Sequence, residues 1–146
     1  VANDIYCVSG TGTSELLWEI AAGAAIGAVC GLHQHGSGVR GGATLDQTTG
    51  LEARFQAQVA HAALGITREE VNGYVLEFLS HYEGSLDNPN TGKSFPELYD
   101  EDTLEIKDEW LEPYYKVCDA ISQLGLDVNN AWRKVLYSRG QPVYTH

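Results

Sequence analysis

The apolar run Ala24–Val29, with the segment Gly31-Leu32-His33-Gln34-His35-Gly36-Ser37-Gly38 behind it, constrains the fold more than any other part of the chain. Small and β-branched residues in an unbroken run suit a strand buried on both faces. A strand over about Gly27 to Leu32 that ends in His-Gln-His and opens into a glycine loop has the form of an active-site mouth. Ligands and catalytic groups collect at the C-terminal ends of parallel strands. Side chains alternate along a strand, so His33 and His35 are expected on one face and Gln34 on the other.

Upstream, Ile5–Ser9 reads as a short strand of β-forming residues. It leads through Gly10-Thr11-Gly12 into a helix that Thr13 or Ser14 can cap, with Leu16, Leu17, Ile20, Ala21, Ala24 and Ala25 on one face. Strand, helix and strand make a βαβ unit, which implies a parallel sheet. The glycine-rich loop Gly36–Gly50 is long for such a unit, and loops of that length usually serve function.

Helices dominate the remainder. One is expected over Leu51–Leu64, with Phe55, Val59, Ala62 and Ala63 inward and Glu52, Arg54 and Gln58 as its polar side. Thr67-Arg68-Glu69-Glu70 is a capping box that launches an amphipathic helix ending near Glu83-Gly84. Residues 85–96 are turn chemistry, and Asp108–Leu124 is a further helix with Trp110, Leu111, Tyr114, Val117, Cys118 and Ile121 on its apolar side. A short helix is expected around Ala131–Tyr137. Two strands are too few for an independently stable sheet, so other structure is expected to complete it.

A net charge of −11, from nine Lys and Arg against twenty Asp and Glu, excludes a dominant basic face and argues against nucleic-acid and anionic-membrane partners. Much of the acid lies between Glu97 and Glu112 and reads as one solvated surface. Cys7, Cys30 and Cys118 are odd in number, with no Cys-x-x-Cys, which fits free thiols in a reducing cytoplasm. The apolar stretch Ile20–Leu32 is too short and glycine-laced to span a bilayer. A start at Val1 and the lack of any methionine suggest a piece of a longer chain.

Two constellations carry chemistry. His33-x-His35 can hold a divalent metal if carboxylates or another His complete the shell, or can orient substrate and move protons. Glu15, in a first helical turn at a strand's C-terminal end, is either a dipole partner or a general acid facing the same cavity. The Gly36-Ser37-Gly38 and Gly41-Gly42 pairs lack the Lys-Ser or Lys-Thr of a phosphate loop, and Ser14 and Ser37 lack the setting of a hydrolase nucleophile. Arg40 can bind an anion or pair with Asp46.

Taken together, Thr11-Gly12-Thr13-Ser14-Glu15-Leu16-Leu17-Trp18-Glu19-Ile20-Ala21-Ala22-Gly23, the Gly31–Gly38 segment, Leu45-Asp46-Gln47-Thr48-Thr49-Gly50-Leu51-Glu52-Ala53-Arg54-Phe55 and Val59-Ala60-His61-Ala62 resemble the C-terminal part of the monomethylamine methyltransferases. Looser similarity continues through Leu79–Tyr82, Gly92-Lys93-Ser94-Phe95 and Tyr99-Asp100, and the stretch Leu45–Ala62 is the most specific piece. The resemblance implies an α/β fold: the C-terminal portion of a TIM-like (β/α)8 barrel, helix-rich with few parallel strands. Residues 1–146 would form a single region, with barrel strands and helices over 1–84 and a C-terminal helical extension over 85–146.

It further implies transfer of the methyl group of methylamine to the Co(I) centre of a partner corrinoid protein, with loss of ammonia. The chain itself would bind no cofactor directly. In archaeal members the amine is activated by pyrrolysine, an electrophilic imine residue upstream of the matched region and absent from these 146 positions. By position and chemistry, Gln34 is assigned to ring contacts and Glu15, His33 or His35 to proton handling, with Thr11, Arg40 and Asp46 as substrate-binding residues and no metal. A cytoplasmic homo-oligomer is expected, with the acidic surface available to the corrinoid partner. Two rival readings are a non-catalytic barrel fragment or assembly module, and a metal-dependent hydrolase using His33 and His35.

Overall fold

The computed structural model describes residues 1–131. The chain order is β1 (Ala2–Tyr6), α1 (Ser14–Val29), β2 (His33–Gly38), α2 (Gly50–Ala62), α3 (Arg68–Ser80), α4 (Phe95–Leu98) and α5 (Asp108–Gln123), with a 3₁₀ turn over Glu83–Ser85. The helix expected around Ala131–Tyr137 lies outside the described residues apart from its first.

The strands pair in parallel as a two-stranded sheet, with α1 as the crossover. Parallel pairing is as expected, but the strand positions are not. β1 begins three residues before the predicted Ile5 and ends at Tyr6. The run Ala24–Val29 and the predicted strand Gly27–Leu32 belong to α1 and its exit, and β2 starts at His33. His-Gln-His therefore opens a strand rather than closing one.

The physical reason is that α1 is buried nearly all round. Leu16, Leu17, Ile20, Ala21, Ala24 and Ala25 are fully buried, and Trp18 and Ala22 nearly so. A helix enclosed on most sides shows no polar stripe, and a short apolar run within it has no period that separates helix from strand. Alanine's high helix propensity then decides. The end is a Schellman turn: Gly31 takes φ 71°, its N–H donates to the Ala28 carbonyl, and the Leu32 N–H donates to the Gly27 carbonyl.

α1 is the hub, packing on the sheet, on α2 and on α3. Phe55 and Val59 of α2, Phe78 of α3, and Trp110, Cys118 and Ile121 of α5 close the core around it. Thr67 and Glu70 form the expected capping box, and Thr13 caps α1. Ser94 and Glu97 form a second capping box within the stretch read as turns. α2 departs from its expected polar side. Glu52 and Gln58 are buried, Gln58 accepting a 2.6 Å hydrogen bond from the Tyr114 hydroxyl, and Arg54 is exposed with its guanidinium 5.9 Å from the Tyr114 ring. The acidic side chains between Glu97 and Glu112 are exposed, as anticipated.

Candidate active site

Along β1, Asn3 and Ile5 turn toward the helices, and Ala2, Asp4 and Tyr6 turn away. Among the described residues no helix covers that second face, and Tyr6 is 84% exposed on it. The ladder pairs Asn3 with Gln34 but Asp4 with Gly36, so His35 is an extra residue in β2. Such bulges re-aim side chains and occur beside active sites more often than chance. Beside the bulge, His35 Nδ1 lies 2.5 Å from Asp4 Oδ1 on the open face. His33 is exposed and His35 lies on the open face, as the alternation predicted.

Gln34 points the other way. Its Oε1 accepts from Asn3 Nδ2 at 3.0 Å and from Gln56 Nε2 at 3.2 Å, and its own amide lies 3.5 Å from the Ala24 carbonyl. This amide cluster needs Gly27, because a Cβ there would stand 2.2 Å from Asn3 Nδ2. Gln34 is thus a packing group between α1, α2 and the sheet, and it does not converge with the two histidines.

The C-terminal ends of the strands are built by loops 7–13 and 39–49. The Glu19 carboxylate accepts the backbone N–H groups of Val8 at 2.8 Å and Ser9 at 3.0 Å, fixing the exit of β1 against α1. Thr11 is fully buried, and its hydroxyl donates to the Gln47 carbonyl at 2.6 Å, so the two loops are joined. Residues 90–95 back them: Gly10 N–H donates to Asn90 O, Lys93 N–H to Thr11 O, and Phe95 N–H to Asp46 O. A Cβ on Gly10 would stand 1.9 Å from the Thr91 carbonyl oxygen, which explains glycine there.

Of the remaining predicted residues, Glu15 lies half-buried in the first turn of α1, and Ser14 donates to it at 3.3 Å. Arg40 and Asp46 are both exposed near this end, and no ion pair links them among the described residues. No group of three His, Cys, Asp or Glu that could hold a metal ion gathers among the described residues.

Sequence reasoning missed Glu52. It is 2% exposed at the start of α2, accepts the Thr49 hydroxyl, and sits where Trp110 Nε1 donates to Thr49 Oγ1 at 3.1 Å. Burial pushes its pKa up, against the lowering effect of Thr49 and Thr11. Burial and the nearby Glu19 and Glu52 charges likewise push the Cys7 thiol far up. The Thr49-x-x-Glu52 spacing is that of a capping box and was the available signal.

A parallel sheet with one face under helices and the other bare, bearing a bulged His–Asp pair, is the geometry of a barrel wall. The family model described as "Monomethylamine methyltransferase MtmB" matches residues 1–126. This chain belongs to that family. Monomethylamine methyltransferase MtmB2 of Methanosarcina acetivorans is 32% identical over 126 residues, covering 85% of this chain and 27% of the relative. MtmB2 of Methanosarcina barkeri is 35% identical over 85 residues, covering 58% of this chain and 19% of the relative. The crystal structure of the M. barkeri methyltransferase superposes with a TM-score of 0.76 at 31% identity, over 85% of this chain and 27% of that one. A second crystal structure, of the hydroxylamine complex of MtmB, matches to the same extent. The chain therefore spans about a quarter of the length of these relatives. Its fold is a helix-rich portion of a TIM-type barrel, with few parallel strands, as the resemblance implied.

Proposed function

We propose that this chain is part of an enzyme that moves the methyl group of monomethylamine to the Co(I) centre of a partner corrinoid protein. The methyl group leaves nitrogen as a cation equivalent. Cobalt goes from Co(I) to methyl-Co(III), and methylammonium becomes ammonia. The single observation that carries the reading is the bare sheet face with Asp4 and His35 on it. In a closed barrel the face opposite the helices is the interior, so the pair would look into the cavity.

In that setting the Asp4 carboxylate holds the His35 ring through Nδ1 and leaves Nε2 to take or return the amine's proton. Arg40 and Asp46, exposed on the loop after β2, form the mouth where substrate enters, with Glu15 at its rim and the buried Thr11 holding the two loops together behind them. His33 stands at the amino end of β2, farther from that mouth. An imine residue such as pyrrolysine, supplied by other parts of the barrel, would hold and activate the amine.

Several surfaces support a larger assembly. A groove of about 460 Å³ between β1, α1 and α3, lined in part by Tyr6, Val8, Ile26, Leu79 and Leu86, suits further barrel elements. Exposed Leu64, Leu76 and Tyr115 suit contact with other chains. The acidic surface around Glu101–Glu112 is assigned to the corrinoid partner, and three free cysteines suit the cytoplasm. No described helix is long and apolar enough to cross a membrane.

Intact mass and peptide mapping of the protein from its native source, with ammonia release measured on the same material, test this reading. Methylamine-dependent ammonia release that requires a corrinoid protein supports it. A stable protein of 15.9 kDa that releases none favours the assembly-module alternative.

A further inference from the structure

The Glu52 cluster contains a donor deficit. Each threonine hydroxyl has one proton to give. That of Thr49 goes to Glu52 Oε2, and that of Thr11 goes to the Gln47 carbonyl oxygen. Glu52 Oε1 is left buried with no hydrogen-bond partner, although Thr11 lies close enough to act on the carboxyl. No ion pair reaches Glu52 among the described residues, and the nearest cation on its own helix, Arg54, is exposed and lies over Tyr114. A buried carboxylate with neither a cation nor a donor for one oxygen is strongly disfavoured. A proton on Oε1 removes the deficit, because Thr11 Oγ1 has lone pairs free to accept it.

We propose that Glu52 is a positioning residue that works as a neutral carboxylic acid, locking together the loops after β1 and β2. The chain of donation runs from Trp110 Nε1 to Thr49, from Thr49 to Glu52 Oε2, from Glu52 Oε1 to Thr11, and from Thr11 to the Gln47 carbonyl. Each link polarises the next, so the chain acts as a unit. It joins α5, α2 and both loops at the end of the sheet where substrate is expected. In that last respect it rests on the methyltransfer reading. The groups around it are Cys7 at the end of β1 and Tyr99 beyond α4, both with pKa values pushed up chiefly by burial, and Glu19 of α1. None of them offers a cation.

The test compares the wild-type chain with Glu52→Gln, Glu52→Ala and Thr11→Val. Infrared spectra across pH 6 to 9 should show a protonated carboxyl stretch in wild type that survives above neutral pH and is missing in Glu52→Gln. Glutamine keeps one acceptor and gains a donor for Thr11. Glu52→Gln should therefore retain amide exchange protection in loops 9–13 and 44–49, whereas Glu52→Ala and Thr11→Val lose it by tenfold or more. The sign of the pH effect follows from a folded pKa raised above the unfolded one: wild-type loop protection falls as pH rises through the folded value, and that of Glu52→Gln does not. Absence of the carboxyl band at neutral pH overturns the proposal, and so does a Glu52→Gln protein as unprotected as Glu52→Ala. If Glu52→Ala fails to fold, the band and Thr11→Val still decide. Loss of methyl transfer in wild type would count against the functional reading and leave these spectra interpretable.

Discussion

Asp4 and His35 meet across the parallel ladder at 2.5 Å, beside the bulge that leaves His35 between the Asn3–Gln34 and Asp4–Gly36 pairs. The pair stands on the sheet face that no described helix covers, with side-chain exposures of 74% for His35 and 46% for Asp4. Exposed pairs of this kind contribute about 0–1 kcal/mol to stability. The fold therefore gains little from it, and under the proposed function its role is chemical.

Asp4→Asn should separate these two roles. It keeps the shape, removes the charge that orients the ring, and is expected to reduce methyl transfer about 10- to 100-fold, in line with loss of a group that orients a histidine. His35→Ala should reduce it further. Thermal melts of both should fall within a few degrees of wild type. A large loss of stability with unchanged turnover would show the pair to be structural.

Gln34 should behave in the opposite way. Its Oε1 accepts from the half-buried Asn3 and the buried Gln56, so Gln34→Leu leaves a donor of each without that partner and should cost about 1–3 kcal/mol. Gly27→Ala should be comparably harmful, because its Cβ lands 2.2 Å from Asn3 Nδ2. Urea midpoints measure both, and a neutral Gln34→Leu would contradict the amide-cluster account.

Acid should loosen the helix starts first. Hydrogen bonds from the Thr67 backbone and hydroxyl hold the Glu70 carboxyl below its ordinary range, and Ser94 does the same for Glu97. Folded pKa values below the unfolded ones give a contribution that is full above the unfolded range and lost as pH falls through the folded value. Glu70→Gln should therefore weaken the protein at pH 7 but hardly at pH 3. Denaturant titrations at the two pH values check it.

Thiol labelling should be selective. Cys30 is exposed at the end of α1, whereas Cys7 and Cys118 are buried, and burial pushes the Cys118 thiol up to about 12. Thiolate is the reactive form. A disulfide reagent should modify one cysteine rapidly in the native protein and all three in denaturant, with peptide mapping placing the first at Cys30. Rapid native modification of Cys7 would indicate that its end of the sheet opens.

How much of this was legible follows from where each signal resides. α3 was readable from its capping box and apolar stripe, and α5 from its apolar stripe and the Gly125 that follows it. The second half of α1 was not, since its outward position Ile26 is apolar like its buried ones and leaves no polar stripe, and Gly31 was the one local mark of a helix end. That error moved His33, Gln34 and His35 from the end of a strand to its beginning. Their alternation survived the error, because period two does not depend on where the strand starts. Glu52 was read as solvent-facing because its burial depends on Trp110 and Thr11, which come from distant parts of the chain. Local periodicity carries no information about such partners.

The central claim is methyl transfer from methylamine to cobalt by the enzyme that contains this chain, and the visible spectrum of the corrinoid reports it directly. The enzyme from its native source, mixed with a Co(I) corrinoid protein, should convert the Co(I) spectrum to that of methyl-Co(III) when methylamine is added, at a rate that Asp4→Asn and His35→Ala reduce. A Co(I) spectrum that stays unchanged with methylamine, while the enzyme remains folded, would contradict the account.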